Sequence, residues 1–286
     1  MKKTAIKMIT AAFASLALLG ACGSGGSAAS SGSDGAGAST SDVLAKIKDA
    51  GELKVGTEAQ YAPYEFKDAQ ANFAGADIAL AQQIADDLGV KLTVTDMKFD
   101  GIIPAVQSGQ VDLGIAAFSN TAERAKVIDF SDIYEKSEQM LVVAAENAGK
   151  YTSVESLAGQ KVGAQKGTIQ SDLVRSELTD SELFELDKYP ALALEIKNGN
   201  IAGLVADAAV GQGLIDTSNG ALAAADFSFT GENANVGKAV VLAKGNDALK
   251  AEVNKTIKKM MDDGSYQKAY DEAVALAQTL GLEVGE

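Results

Sequence analysis

Two stretches of the chain share a sequence pattern that includes the end of a predicted strand. This repetition constrains the fold more than any other feature. Residues 108–118 (SGQVDLGIAAF) align with residues 198–208 (NGNIAGLVADA), and each follows a predicted helix with a proline near its start. The stretch GELKVGTEAQ from Gly51 similarly recurs as GQKVGAQKG from Gly159. Short matches of this kind also arise from the ordinary pattern of βαβ units. Taken literally, they predict two lobes of similar build.

Strands and helices alternate along the first half of the chain. Residues 54–57 and 91–95 are predicted strands, and the apolar residues between them fall at helical spacing: Ile78, Ala81, Ile84, Ala85 and Leu88. Asp77 is placed to cap this helix and Gly89 to end it. A second helix is predicted over residues 102–107. Alternating segments of this length predict an α/β fold with a mostly parallel sheet covered by helices.

The repeat also predicts where a ligand would bind. On the alignment, Ala117 and Asp207 are equivalent positions, each at the C-terminal end of a strand. Ligands of open α/β sheets bind just outside that edge. Two lobes would place the two edges on opposite walls of one cleft.

Arg124 is the strongest candidate for a binding residue within the first repeat. A strand predicted over residues 113–117 passes through Phe118 and Ser119 into a short helix that starts at Asn120 or Thr121. Free N–H groups at such a helix start favour an anion, and the helix dipole disfavours a cation there. A guanidinium beside free amides can bind both oxygens of a carboxylate. The alternative is a solvated Arg on a surface helix.

The composition removes most cofactor and metal chemistry. The 286 residues include no His and a single Cys, so the usual zinc ligands and the His-based catalytic triads are absent. There is no P-loop, and no GxGxxG motif follows a predicted strand. With a net charge of −14 and no basic stripe, the chain is a poor candidate for binding nucleic acid. No cofactor is expected, and an enzyme would depend on Asp, Glu, Lys, Tyr or Ser alone.

The first 21 residues have the layout of an export signal peptide. Lys2, Lys3 and Lys7 precede an apolar run, residues 8–19, that is too short to span a bilayer. Removal of residues 1–21 would delete three lysines and no acids, which changes the net charge from −14 to −17. The mature protein is therefore predicted to be exported and strongly acidic.

Cys22 marks the next predicted segment. It follows Leu-Gly-Ala at 19–21, a sequence that resembles the lipobox of bacterial lipoproteins, in which cleavage before the Cys leaves it lipid-modified. Residues 23–41 are all Gly, Ser or Ala except Asp34 and Thr40, which is the composition of a flexible tether. Residues 22–41 are thus predicted to be a lipidated Cys and its tether, anchored to the cell membrane. A chance Cys beside an ordinary signal-peptide site is the alternative.

Six motifs follow in the rest of the chain. They are KVGTEAQYAPYEF at 54–66, FDGIIPAVQSGQVD at 99–112, TAERAKVIDFSDIY at 121–134, VGAQKGTIQ at 162–170, LVAD at 204–207 and DDGSYQKAY at 262–270. In this order they resemble the extracellular solute-binding proteins of polar amino-acid ABC transporters, the family-3 type, over about residues 43–270. The resemblance implies a periplasmic-binding-protein-like fold of type II, in which two α/β lobes are joined by two crossing hinge segments.

The resemblance also implies roles for individual residues at the backbone end of an amino acid. Arg124 corresponds to the arginine that holds the α-carboxylate. Backbone amides help it at Ser119 and in the turn from Gly167 to Gln170, which includes Thr168 and Ile169. Asp207 corresponds to the acid that accepts the α-ammonium, with help at Ala117. A site with Arg on one side and Asp on the other matches a zwitterion without leaving a buried charge unpaired.

Three further positions correspond to the part of the site that holds the ligand side chain. Tyr61 and Phe99 match an aromatic pair on either side of it, and Glu58 matches an acidic position that meets the distal cation in relatives specific for basic amino acids. The chain departs from the family where Ala116 and Ala117 replace Ser, and where Ile169 replaces Thr. These departures put the exact ligand in doubt and leave the Arg124 and Asp207 pair intact.

The resemblance implies a cleft that closes on its ligand by hinge motion. Lobe 1 is predicted to comprise residues 42–136 and 237–286, and lobe 2 residues 137–236, with crossings near 134–137 and 235–238. The closed form of the protein, expected to be a monomer, would dock on the permease of an ABC importer. A polar, perhaps basic, free L-amino acid is the favoured ligand, with glutamine and cystine as alternatives. Two other readings stay open, an enzyme similar to the cyclohexadienyl dehydratases and a ligand-sensing partner of a receptor.

Overall fold

The computed structural model describes residues 43–231 and 233–282, so the predicted signal peptide, Cys22 and the tether lie outside the described residues. Within the described part, the strands are β1 (Glu52–Thr57), β2 (Phe66–Lys67), β3 (Phe73–Ala74), β4 (Lys91–Asp96), β5 (Leu113–Gly114), β6 (Asp129–Phe130), β7 (Glu135–Ala144), β8 (Lys161–Gln165), β9 (Glu182–Leu186), β10 (Gly203–Asp207), β11 (Leu222–Ala224), β12 (Asn235–Lys238) and β13 (Val241–Leu242).

The helices cover both sheets. They are α1 (Val43–Ala50), α2 (Ala76–Leu88), α3 (Phe99–Ser108), α4 (Ile169–Glu177), α5 (Tyr189–Lys197), α6 (Ala208–Thr217), α7 (Asp247–Asp262) and α8 (Ser265–Thr279), with 3₁₀ turns at Arg124–Lys126, Ala145–Asn147 and Glu155–Leu157. Of the helices described here, none combines the length and the apolar character needed to cross a membrane.

The first sheet has the strand order β4-β1-β5-β13-β6. Strand β1 runs parallel to β4 and β5, whereas β13 is antiparallel to β5 and β6. Leu53 and Val55 of β1 are buried against Leu80 and Ile84 of α2 on one face, and α3 covers the opposite face. Burial on both faces is typical of parallel strands between helices.

The second sheet repeats this build, with the order β11-β7-β10-β8-β9 and β12 paired to β7. Strand β8 is parallel to β9 and β10, and β7 is antiparallel to β10, β11 and β12. Helices α5 and α6 pack on one face and α4 on the other. The predicted α/β fold with two lobes is therefore confirmed.

The chain crosses between the two sheets twice. It leaves the first sheet after β6 and enters the second along β7, and it returns along β12 into β13. The two crossing segments pair with each other, so that Lys238 lies opposite Glu135 and Asn235 opposite Glu138. The limits of the lobes at 136/137 and 236/237 stay a prediction, because strand pairing does not determine where a rigid body ends.

Several local predictions were wrong. The predicted strand 113–117 forms a ladder only at Leu113–Gly114, since Ala117 has φ 48°, which is incompatible with a strand. The expected helix from residue 120 or 121 is a turn followed by a 3₁₀ helix at Arg124–Lys126. Gly89 ends α2 in the left-handed conformation as predicted, but Asp77 does not cap it.

Each of the two prolines near a predicted helix start lies in a helix, but at a different position within it. Pro190 is in the first turn of α5, where its missing N–H costs no intrahelical bond. Pro104 lies within α3, which starts at Phe99 and not at Ile102 as predicted. The earlier start places Phe99 and Asp100 in the first turn of α3, at the edge of the cleft.

Candidate functional site

A cavity of about 350 Å³ lies between the strand ends of the two sheets. All ten residues predicted to bind a ligand are among those that line it. The lining residues are Glu58, Tyr61, Glu65, Phe99, Ala116, Ala117, Ser119, Arg124, Gln165, Thr168, Ile169, Gln170 and Asp207. Glu65, Gln165 and Ala116 were not predicted to bind.

Arg124 extends into this cavity from the 3₁₀ turn that follows the first sheet. Its guanidinium donates to the carbonyl oxygens of Ser119 (3.0 Å) and Gly167 (3.1 Å), and its Cζ lies 5.5 Å from the ring centroids of Phe99 and Phe118. Within residues 43–231 and 233–282, no ion pair is formed by Arg124. Burial lowers its pKa to about 10, which leaves it charged at neutral pH. A partly buried cation whose acceptors are all neutral is matched to an anion in the cavity.

The opposite wall places the start of α4 beside this guanidinium. Thr168 is the N-cap of α4, because its Oγ1 accepts from Ser171 N (3.3 Å) and donates to Gln165 O (2.6 Å). Ile169 and Gln170 occupy the first turn of α4, where N–H groups have no acceptor within the helix. The amide side chain of Gln170 is used within the wall, since it donates to Gln139 Oε1 at 2.6 Å. The main chain of this turn is therefore the part available to an anion.

Asp207 lies at the junction of β10 and α6 and is 3% exposed. Its Oδ1 accepts from Ala209 N (3.1 Å), which caps α6. Its Oδ2 accepts from Ser137 Oγ and lies 3.0 Å from Lys238 Nζ. The carboxylate that was predicted to accept the α-ammonium is therefore already in contact with a buried lysine.

Lys238 was missed because the sequence gives only a weak signal for it. A single Lys precedes the apolar run Ala239–Leu242, and a lysine at a strand end is usually solvated. Its pairing with Asp207 joins residues far apart in the chain. The one available clue was a charged residue directly before an apolar run.

Two buried carboxyl groups also line the cavity. Glu58 is 3% exposed, its Oε2 accepts from Gln165 Nε2 at 3.4 Å, and burial raises its pKa from 4.5 to about 7. Glu65 is 1% exposed, and its Oε2 has no hydrogen-bond donor among the described residues. Burial, together with the charges of Asp77 and Glu58, raises the pKa of Glu65 well above its usual value. Both carboxyls therefore favour the protonated form until a cation lies beside them.

Glu65 could have been suspected from the sequence. It stands between two aromatic residues, Tyr64 and Phe66, and a Glu is almost never fully buried unless another group pairs with it. Asp77, the mispredicted cap, accepts from Ala117 N (2.7 Å) and Tyr134 OH (2.9 Å) instead. It thus holds the unusual backbone of Ala117 in place, and the Ala117 amide is not free to bind a ligand.

Aromatic rings from both walls complete the cavity. Tyr61 packs against Tyr189 from the second sheet's helices, with centroids 5.2 Å apart, and Phe99 stacks on Phe118 at 4.6 Å. Ion pairs join the walls at the rim, from Lys98 to Asp187 (2.5 Å) and from Lys166 to Asp100 (3.0 Å). The two walls are therefore in contact around the cavity.

The described residues offer no metal site. No group of three or more Asp, Glu or Cys side chains in residues 43–231 and 233–282 is arranged to hold a metal ion. The charged groups that line the cavity are the guanidinium of Arg124, the carboxylate of Asp207 beside Lys238, and the buried carboxyls of Glu58 and Glu65, a set suited to a ligand with charges of both signs.

The cavity's residues fall within the segment that known proteins match. The family model "Bacterial extracellular solute-binding proteins, family 3" matches residues 53–274. The putative ABC transporter arginine-binding protein 2 of Escherichia coli K12 is 29% identical over 78% of this chain and 90% of its own length. The L-cystine-binding protein TcyJ of the same strain is 30% identical over 79% of this chain and 83% of its own.

A solved structure has the same fold. The amino acid ABC transporter substrate-binding protein AbpA of Streptococcus pneumoniae, bound to L-arginine, superposes with a TM-score of 0.79 at 35% identity, over 82% of this chain and 98% of the other. The two curated relatives carry different ligands in their names at nearly equal identity. Overall sequence identity therefore does not indicate which amino acid this chain binds. The charges of the cavity have to distinguish the candidate ligands.

Proposed function

Since the chain belongs to the bacterial extracellular solute-binding proteins of family 3, we propose that it binds one free basic L-amino acid in this cavity, outside the cytoplasmic membrane, and delivers it to the permease of an ABC importer. The observation that carries the proposal is the distribution of charge. Among the described residues Arg124 has no ion-pair partner, and the carboxyls of Glu58 and Glu65 lie buried in the same cavity. L-arginine, with an anion at one end and a cation at the other, fits this distribution.

The α-carboxylate binds Arg124. The guanidinium is already oriented by the carbonyl oxygens of Ser119 and Gly167, so little side-chain entropy is lost when the ligand arrives. The first-turn N–H groups of Ile169 and Gln170 donate from the other wall, where the α4 N-terminus favours negative charge. A carboxylate held by both walls links them.

The α-ammonium binds Asp207. Among the described residues Oδ1 accepts from the Ala209 amide alone, and a carboxylate oxygen has room for a second donor. The ammonium and the carboxylate share one carbon, so the acid must lie near the guanidinium, and both groups line the same small cavity. Ala117 contributes its carbonyl here, because its amide is bound to Asp77.

The distal cation of the ligand binds Glu58 and Glu65. Each is nearly inaccessible to water, and the free Oε2 of Glu65 offers an acceptor that no described residue uses. Ionisation of a buried carboxyl is unfavourable until a cation arrives, which favours a charged side chain over a neutral one. Tyr61 and Phe99 flank the aliphatic part of the ligand.

Delivery follows from closure of the two lobes, 42–136 with 237–286 and 137–236, about the crossing strands β7 and β12. A ligand that contacts both walls has higher affinity for the closed state, which is the requirement for ligand-driven closure. Lipid on Cys22 keeps this monomer near the permease at a high effective concentration.

Binding without turnover is part of the proposal. The curated relatives are binding proteins by name. The cavity offers Arg124 to the carboxylate of a zwitterion and Asp207 to its ammonium. A dehydratase would instead convert prephenate or arogenate, and incubation of the purified protein with each substrate distinguishes the two classes. A sensor function would leave the same binding site and a different partner.

The test is a thermal-shift screen of the twenty amino acids followed by calorimetry. A ligand that binds only the folded protein raises its melting temperature. Arg124→Ala should weaken L-arginine binding by about 2–5 kcal/mol, because it leaves a buried carboxylate without its partner. Arg175, the other arginine of the chain, is half exposed in ion pairs with Asp172 and Glu185, and Arg175→Ala is the matched control. Equal affinities in the two variants would refute the carboxylate site, and no melting shift with any amino acid would refute the function.

A further inference from the structure

Lys238 is a buried ammonium that the proposed binding of an amino acid does not use. It is 2% exposed, and its Nζ lies 2.9 Å from Glu135 Oε1, 3.0 Å from Asp207 Oδ2 and 2.8 Å from the hydroxyl of Tyr64. The ammonium also lies 4.3 Å from the centroid of the Tyr64 ring. Burial lowers the pKa of Lys238, but the charges of Asp207 and Glu135 outweigh this effect and raise it above the usual value.

The two carboxylates that Lys238 joins have different positions. Asp207 lines the cavity, whereas Glu135 is not one of the lining residues and faces Lys238 in the ladder between β7 and β12. Glu135 is held there by the hydroxyls of Tyr64 (2.5 Å) and Tyr266 (3.2 Å). Lys238 thus connects the cavity's acid to the pair of strands that cross between the sheets.

The formal charges of this cluster do not cancel. One ammonium and two carboxylates sum to one net negative charge. Lys238 and Asp207 are buried and the Glu135 side chain is 24% exposed, so water solvates the unbalanced charge only in part, and one more cation would neutralise it. Asp207 lines the cavity, and among the described residues its Oδ1 accepts from Ala209 N alone, so a ligand cation in the cavity can reach this carboxylate.

We propose that Lys238 and Glu135 are positioning residues for the ammonium subsite, which hold Asp207 at the cavity wall and leave the cluster one positive charge short of neutrality. This inference rests on the proposed function, in which the ligand's α-ammonium binds Asp207. The ligand then completes the cluster. Glu135 acts from outside the cavity, because without its charge Lys238 alone would neutralise Asp207 and compete with the ligand for it.

The charge count predicts an unusual pattern among variants. Glu135→Gln leaves Lys238 and Asp207 as a neutral pair, and L-arginine should bind about tenfold more weakly, although no cavity residue has changed. Lys238→Met combined with Glu135→Gln returns the cluster to one net negative charge on Asp207 alone. The double variant should therefore bind L-arginine within about threefold of the unchanged protein.

Calorimetric titration of L-arginine into the unchanged protein and these two variants is the experiment. Lys238→Met alone is left out of the deciding comparison, since a buried and a partly buried carboxylate without their shared cation can prevent folding. The matched control is Glu252→Gln, alone and with Lys255→Met, at an ion pair on the exposed surface of α7, where both should bind as the unchanged protein does.

The outcomes separate a positioning role from a structural one. If Lys238 and Glu135 have only a structural role, the double variant loses more contacts and should bind L-arginine more weakly than Glu135→Gln does. That result would overturn the inference. An affinity of Glu135→Gln equal to that of the unchanged protein would overturn it as well. Tighter binding by the double variant than by Glu135→Gln supports it. If the unchanged protein fails to bind L-arginine, the proposed ligand class is refuted and this inference with it, whereas normal binding with a flat variant series refutes the inference alone.

Discussion

Replacement of Glu58 by Gln should make the ligand-free protein more stable, and increasingly so as the pH rises. The carboxyl group is 3% exposed, and burial raises its pKa from 4.5 to about 7. Between these values the folded protein keeps the proton that the unfolded chain releases. The contribution of Glu58 to stability is therefore present below pH 4.5 and is lost as the pH rises towards 7. At about 1.4 kcal/mol per pH unit, the full loss is about 3 kcal/mol.

Urea unfolding between pH 4.5 and 8, without ligand, measures this effect. Glu58→Gln cannot ionise, so the difference in unfolding free energy between the variant and the unchanged protein should grow through the window to about 3 kcal/mol and stay constant above pH 7. Glu65 and Asp77 also have raised pKa values, but they are present in both proteins and affect the difference only through coupling. Glu272→Gln, at an exposed site on α8, should show no such trend.

The same group gives a second measurement with ligand. A basic ligand binds the ionised form of Glu58, so the affinity for L-arginine should rise as the pH increases to about 7 and then level off. In Glu58→Gln the affinity should be weaker at pH 8 and less dependent on pH. A stability difference that is flat or of opposite sign would refute the burial argument, and parallel pH profiles for L-arginine would remove Glu58 from the cation site.

Two further predictions concern the anchor and the core. Cys22→Ala should move the expressed protein from the detergent-rich phase to the aqueous phase in a detergent partition assay, because the lipid-bearing thiol is gone; partition equal to that of the unchanged protein would argue against the lipobox. Gly114→Ala should destabilise the protein by about 1–3 kcal/mol in urea, since the added Cβ would lie 2.8 Å from Ile102 Cγ2 in a packed core. Its control is Gly101→Ala in α3, where an added Cβ meets nothing within 4 Å and stability should not fall.

The positions of several strands and helices were predictable because they depend on local pattern. Hydrophobic periodicity located β1, α2 and β4 to within a residue or two, and the repeat placed Asp207 at the end of a strand. These features need only the side chains of a short window and its turns. The residues predicted to bind all line one cavity, and their individual roles stay predictions.

What the sequence did not disclose depends on long-range contact. Lys238 pairs with acids 103 and 31 positions away, so nothing beside it in the chain identified it as buried and charged. Asp77 had the right residue type and place for a helix cap, and tertiary contacts with Ala117 and Tyr134 replaced that role. The positive φ of Ala117 follows from the same contact, because a buried carboxylate oxygen holds its amide.

The charges of the cavity separate recognition of any amino acid from recognition of a particular one. Arg124 carries one positive charge and the cluster of Lys238, Glu135 and Asp207 one net negative charge, which together match the backbone of every zwitterion. Glu58 contributes a further negative charge only when it ionises, and its pKa of about 7 places that event near physiological pH. A neutral amino acid leaves Glu58 protonated, whereas a basic one supplies the cation that makes ionisation favourable. The part of the selectivity that Glu58 contributes therefore depends on one proton, and the preference for a basic over a neutral side chain should narrow as the pH falls below 7.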